Sequence, residues 1–302
     1  MSRPADRKPV SSDLTQDQTP KKKKRGFDLI RFLVLLLCIG VFFFSGYEVL
    51  TTLLSYREGR AFYNSTAERY VRESEEPDPA EPENLPEFSD VSWENGSETE
   101  ADPDSPLEIL KHATVPISVD FDELLAECKD VVAWVYSPDT VISYPIVQAE
   151  DNEYYLRRRL DGNYSGNGTV FMDFRCEPDF TSDNSLIYGH NMRDGSMFHS
   201  LRDYSDPEYY AAHPYLFLLT PAQNYVIRLF YGGIVSSTGW PYNVVFADDA
   251  ERSSFLRQAA ETSDFDAGFS PEEDDRIITL STCSYEFSDA RYVVIGTLVP
   301  IQ

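Results

Sequence analysis

Hydrophobic and polar positions divide the chain into three regimes. Across residues 29–54 only Arg31 and Glu48 carry charge, and residues 32–47 are all apolar or small. With its flanks this run reaches the roughly 20 residues that a helix needs to cross a bilayer. The mixed-charge stretch 56–72 reads as a helical stem continuing from it. Across residues 73–108 the apolar pattern stops: fourteen Asp or Glu and six Pro occur without a single Lys or Arg. Such a segment has too little to bury, and self-repulsion extends it into a spacer.

Beyond residue 107 short apolar runs return at close spacing. Strands are expected at 131–136, 142–148, 168–174, 185–190, 215–219, 225–236, 276–283 and 292–299, with turn residues between them. Asp120 is placed to cap a helix through residue 129, and helices are expected at 151–160, at 197–210 with a break near Pro207, and at 248–262. In the 151–160 helix Asn152 and Leu156 would lie one turn apart on one face. Many strands with inserted helices predict a mainly β domain, a barrel or a sandwich.

Charge orients this layout. The block Lys21-Lys22-Lys23-Lys24-Arg25 precedes the apolar run, so the positive-inside rule keeps the N-terminal side in the cytoplasm. The expected organisation is a cytoplasmic basic tail at 1–26, a transmembrane signal anchor at 27–54, a stem and acidic Pro-rich linker at 55–106, and an extracellular domain at 107–302. A cleaved signal peptide fits less well, since the run is long and no small-x-small site follows it. The formal net charge is −25, which argues against nucleic-acid binding. Residues 1–72 carry +6 and residues 73–108 carry −14, leaving −17 on 109–302. A face on that domain suits cationic or neutral partners. Asn-x-Ser/Thr triplets at Asn64, Asn95, Asn163 and Asn167 would suit a membrane-tethered receptor or adhesin ectodomain that only binds.

Candidate chemistry gathers near the C-terminus. The strand Ile277-Ile278-Thr279-Leu280-Ser281-Thr282-Cys283 is followed by a polar turn and then by Arg291 at the start of another strand. Adjacent strands of this kind would bring a thiol and a guanidinium to one end of a sheet. A buried structural cysteine beside a surface arginine is the plain alternative. His190 closes the strand Leu186-Ile187-Tyr188-Gly189-His190 and can face a cleft, whereas His199 and His213 read as surface or packing residues. A thiolate to attack a carbonyl, a histidine to protonate a leaving amine and a cation for the oxyanion form a complete set. Among the other cysteines, Cys38 is an apolar filler, and a Cys128–Cys176 disulfide is open outside the cell. No Cys or His pair has zinc-ligand spacing, so neither metal nor cofactor is expected.

Thr279-Leu280-Ser281-Thr282-Cys283 resembles the Thr-Leu-x-Thr-Cys signature of sortases, the cysteine transpeptidases of Gram-positive cell surfaces. The Tyr188-Gly189-His190 strand end, the Arg291-Tyr292-Val293-Val294 strand and the order His, Cys, Arg are similar too. Tyr144-Pro145-Ile146-Val147, Asn152-Glu153-Tyr154-Tyr155-Leu156, Gly168-Thr169-Val170-Phe171-Met172-Asp173 and the helix before Cys283 look like class B. The resemblance implies a closed barrel of about eight strands. It also implies a groove that binds a C-terminal sorting motif of secreted proteins, a thioacyl enzyme on Cys283, and transfer to an amine of a peptidoglycan precursor or a pilin. A purely hydrolytic cysteine protease would keep the chemistry and change the acceptor. His190 would act as acid and base, and Arg291 with a backbone N–H near Cys283 would hold the oxyanion. Asn152, Leu156, Ser281, Thr282 and Tyr242 would line the groove, with the 236–242 loop as one wall. Where some class B members carry an acidic residue two positions after the cysteine, this chain has Tyr285.

Overall fold

The computed structural model describes residues 26–74 and 105–301. The basic block at 21–25, the Asn95 triplet and nearly all of the acidic spacer lie outside the described residues. Two compact units emerge, residues 1–52 and residues 53–302. Helix α1 (Gly26–Tyr70) begins in the first and ends in the second. In the first unit its most apolar window has a mean hydropathy of 2.4 and no buried residue. A helix apolar on every side and covered by no protein is suited to lipid.

The second unit is built on a closed eight-stranded barrel. After α1 come β1 (Val71–Glu73), α2 (Pro106–Lys111), β2 (Ile117–Val119) and α3 (Phe121–Glu127). The barrel strands are β3 (Val131–Tyr136), β4 (Ser143–Val147), β5 (Val170–Met172), β6 (Asn184–Tyr188), β7 (Tyr215–Leu219), β8 (Asn224–Ser236), β9 (Ile277–Cys283) and β10 (Ala290–Pro300). Two helices, α4 (Pro207–Ala212) and α5 (Asp249–Thr262), are inserted between strands. Around the barrel the order is β10-β8-β7-β3-β4-β5-β6-β9, closing between β9 and β10. Only the β4–β5 and β6–β9 pairs are parallel. The mainly β fold and the strand positions agree with the sequence reading, because period-2 apolar runs must bury one face.

Three expectations change. The stretch 56–72 continues the helix to Tyr70, as expected of a stem, but it packs into the domain that follows: Tyr63, Thr66 and Tyr70 are buried, and β1 pairs with β2 in a small antiparallel sheet. Tyr63 donates from its hydroxyl to the Gly168 carbonyl at 2.6 Å. Gly59 lets the helix pack this closely, since a Cβ there would lie 2.4 Å from the Asn167 side chain. The folded unit therefore starts near residue 53, not 107.

Residues 151–160 do not form a continuous helix; a single 3-10 turn spans Tyr155–Arg157. Asp151 Oδ1 takes the Glu153 and Tyr154 N–H groups, and the Tyr155 and Arg157 carbonyls accept from Thr169 and Ser165. Side-chain and loop partners thus replace the helical ladder. The 197–210 helix is a 3-10 segment, His199–Ser205, followed by α4, with Asp206 as the cap between them.

Cys128 and Cys176 are both free. Each has its own neighbours: the Cys128 thiol meets the Tyr155 hydroxyl at 3.5 Å, while Cys176 Sγ accepts from Leu186 N–H at 3.3 Å.

Candidate active site

Three neighbouring strands bring the predicted residues abreast. Antiparallel pairing sets Arg291 of β10 directly opposite Cys283 of β9. On the other side of β9, parallel β6 pairs Tyr188 with Ser281, so His190, two residues on, reaches the level of Cys283. The zip continues past the strand end. Gly189 N–H donates to Ser281 O at 3.1 Å, and the Thr282 hydroxyl donates to Gly189 O at 2.9 Å.

A cavity of about 200 Å³ opens at this end of the barrel. It is lined by all eight residues singled out above: Asn152, Leu156, His190, Tyr242, Ser281, Thr282, Cys283 and Arg291. Ser281 and Cys283, two apart on one strand, share a face. The Thr282 hydroxyl is committed to Gly189, so its part in the lining is steric. Ser281 Oγ lies 2.8 Å from the Tyr242 hydroxyl, and the Tyr242 ring stacks on Tyr188 at 6.3 Å, with Phe171 beyond it at 5.3 Å. Phe171, Tyr188 and Ser237 also line the cavity. Ser237 belongs to the wall expected at 236–242. Phe171 and Tyr188 escaped the sequence reading because an aromatic in a strand looks like core. The one signal was the position of Tyr188, two residues before His190.

His190 is half-buried, and its Nε2 lies 2.8 Å from the Leu156 carbonyl. Burial lowers its pKa from the ordinary 6.5; the Leu156 carbonyl opposes this, and the charge of Arg157 adds to it. Gly168 helps present that carbonyl. Its φ is +58°, and a Cβ there would sit 2.6 Å from Leu156 O.

Beneath Asn152 lies a carboxylate that sequence alone did not flag. Asp173, 1 % exposed, accepts from Asn152 Nδ2 at 3.0 Å and from the Tyr188 hydroxyl at 2.9 Å. Arg175 pairs with it at 2.9 Å. Burial would raise the Asp173 pKa, but the Arg175 guanidinium and these hydrogen bonds hold it below the usual carboxylate value. Phe174 N–H meanwhile fixes Asn152 Oδ1 at 3.0 Å. The Asn152 amide is therefore held at both ends.

The guanidinium keeps donors for an oxyanion, whereas the two backbone N–H groups just after Cys283 are already committed. Arg291 Nη1–H donates to Ala290 O at 2.9 Å, leaving its other donors available. The Ser284 N–H is already given to Ala290 O at 2.9 Å, and the Tyr285 N–H to Glu286 Oε2 at 2.9 Å. A thiol opposite a guanidinium, beside an imidazole and a narrow aromatic-walled groove, can attack an acyl carbon and transfer a proton.

A sequence model of the sortase domain matches residues 135–299. The chain belongs to the sortase family. It is 35% identical to sortase B of Listeria monocytogenes over 173 residues, which is 57% of this chain and 70% of that protein. Sortase B from B. anthracis superposes with a TM-score of 0.62 at 28% identity, covering 82% of this chain and 99% of that one. The Staphylococcus aureus sortase B–substrate complex gives 0.58 at 28% identity, covering 60% and 85%. All three are class B. This sortase is class B-like, within a family of cysteine transpeptidases.

At the position where class B members can be acidic, Tyr285 is 69% exposed. The neighbouring Glu286 holds the Ser284 hydroxyl and the Tyr285 N–H and pairs with Arg202. The Ser284 hydrogen bond, first among several, draws the Glu286 pKa below the ordinary carboxylate value. Its contacts make Glu286 part of the loop's framework.

Proposed function

We propose that this sortase cleaves a C-terminal sorting motif of secreted proteins and transfers the acyl fragment to an amine of peptidoglycan or of a pilin. The reading is carried by one observation: Cys283 and Arg291 are direct cross-strand partners, and His190, two residues past the end of the adjoining parallel strand, lines the same groove. The Cys283 thiolate attacks the scissile carbonyl, and Arg291 N–H groups stabilise the oxygen that gains charge. Collapse breaks the C–N bond, His190 gives its proton to the leaving nitrogen, and a thioester remains on Cys283. The incoming amine then attacks the thioester and gives its proton to His190, and the thiolate leaves. Asn152, Leu156, Tyr242 and Ser281 shape the groove, with Thr282 as a packing partner. The −17 charge on residues 109–302 favours substrates with cationic or neutral flanks.

The test uses the detergent-solubilised full chain, peptides spanning C-terminal sorting motifs encoded by the same organism, and triglycine as the amine. Amine-dependent exchange is expected, with a thioacyl adduct on Cys283 detected by mass spectrometry and neither in Cys283→Ala. Cleavage with no exchange would make the protein a hydrolytic protease. Absence of any adduct would leave a binding module.

A further inference from the structure

The 3-10 segment His199–Ser205 reaches the chain around Cys283 twice, once through Asn191 and once directly, and the chemistry above uses neither contact. His199 Nδ1 lies 2.7 Å from Asn191 Oδ1, and Asn191 Nδ2 donates to the Cys283 carbonyl at 2.7 Å. Three residues along, Arg202 Nη2 binds Glu286 Oε1 at 2.9 Å. The turn thus holds the loop after Cys283 in its middle directly, and its start by way of Asn191.

The protonation pattern follows from the acceptors. A peptide carbonyl only accepts, so Asn191 presents its NH2 to Cys283 and its oxygen to His199. That oxygen only accepts as well, which puts a proton on His199 Nδ1. A flipped amide would face two oxygens across the same 2.7 Å gap. Asn191 is also the residue after His190. Its side chain therefore ties the Cys283 peptide to the backbone that carries the imidazole, beside the Thr282–Gly189 hydrogen bond of 2.9 Å.

We propose that His199 is a positioning residue of the transfer reaction: its Nδ1–H locks the Asn191 amide that holds the Cys283 peptide against the His190 end of β6. This rests on the reading of Cys283 as nucleophile and His190 as acid. Neither His199 nor Asn191 lines the cavity, so the relay acts on the alignment of thiol and imidazole. Misplacement on the order of 1 Å by a remote change can cost about a hundredfold in rate.

The experiment compares His199→Ala, His199→Asn and Asn191→Asp in the full chain. It measures exchange of sorting-motif peptides with triglycine, the pH profile of Cys283 alkylation by iodoacetamide (read on the Cys283 peptide by mass spectrometry), and the thermal midpoint. In His199→Ala, kcat falls about tenfold to a hundredfold with KM nearly unchanged, and the alkylation profile shifts. His199→Asn, whose amide N–H takes the place of Nδ1–H, recovers most of both. Asn191→Asp sets a carboxylate oxygen against the Cys283 carbonyl and loses at least as much as His199→Ala. The proposal is overturned if His199→Ala leaves kcat and the profile unchanged, if its loss is all in KM, or if His199→Asn fares no better than alanine. A wild type without exchange would sink the transpeptidase reading instead, and the alkylation profiles of the two His199 variants would still decide the relay.

Discussion

The histidine proposed to give its proton to the leaving nitrogen sits in a place that disfavours its charge. Burial lowers the His190 pKa from 6.5, and the nearby Arg157 lowers it further. The proposed reaction needs imidazolium and thiolate together, so kcat/KM should be bell-shaped, with one limb set by His190 below pH 6.5. Arg157 is exposed and lines no part of the groove, which makes it a clean handle. Replacing it with Gln removes a charge that opposes protonation of His190, so the limb set by His190 should move to higher pH. The shift should shrink with added salt, because exposed charges are screened. A limb that stays fixed in Arg157→Gln, or moves down, would refute this account. The roles of Cys283, His190 and Arg291 could be conjectured from residue type and strand position. Asp173 and Asn191 could not, since a buried Asp or a loop Asn acquires meaning only from the groups it touches.

At the scale of elements, the last turns of α1 belong to the barrel domain. Tyr63, Thr66 and Tyr70 are buried, and Asp120 N–H, at the start of α3, donates to Tyr70 O at 2.8 Å. Removing a single large buried aromatic costs about 3–5 kcal/mol, against a total stability of about 5–15 kcal/mol. A fragment of residues 107–302 should therefore unfold at a much lower urea concentration than residues 53–302, or fail to stay soluble. Equal urea midpoints by circular dichroism would show that this packing contributes nothing. The periodicity of 56–72 was visible as a helix, but mixed charges on its exposed side masked the three positions that face the barrel. The 151–160 error has a similar origin: Asp151 and the 165–169 loop take the hydrogen bonds that a helix would have used.

For the whole molecule, the apolar part of α1 and the acidity of the barrel domain pull in one direction. The apolar window of α1, none of it buried, fits a single-pass membrane anchor, while −17 on residues 109–302 is repelled by anionic membrane surfaces. We expect a single pass with the barrel outside. Protease added to intact protoplasts should then digest the barrel domain and spare a short membrane-embedded fragment. A barrel domain protected until the cells are lysed would reverse this topology.

The sequence by itself determined the apolar span, the eight strands, and the identities of thiol, imidazole and guanidinium, because these follow from local periodicity and residue chemistry. Tertiary structure decided the rest. Parallel pairing of β6 with β9 and antiparallel pairing of β9 with β10 joined segments about a hundred and about ten residues apart into one row. Long-range register of this kind is set by the closure of the barrel, and closure is a property of all eight strands at once.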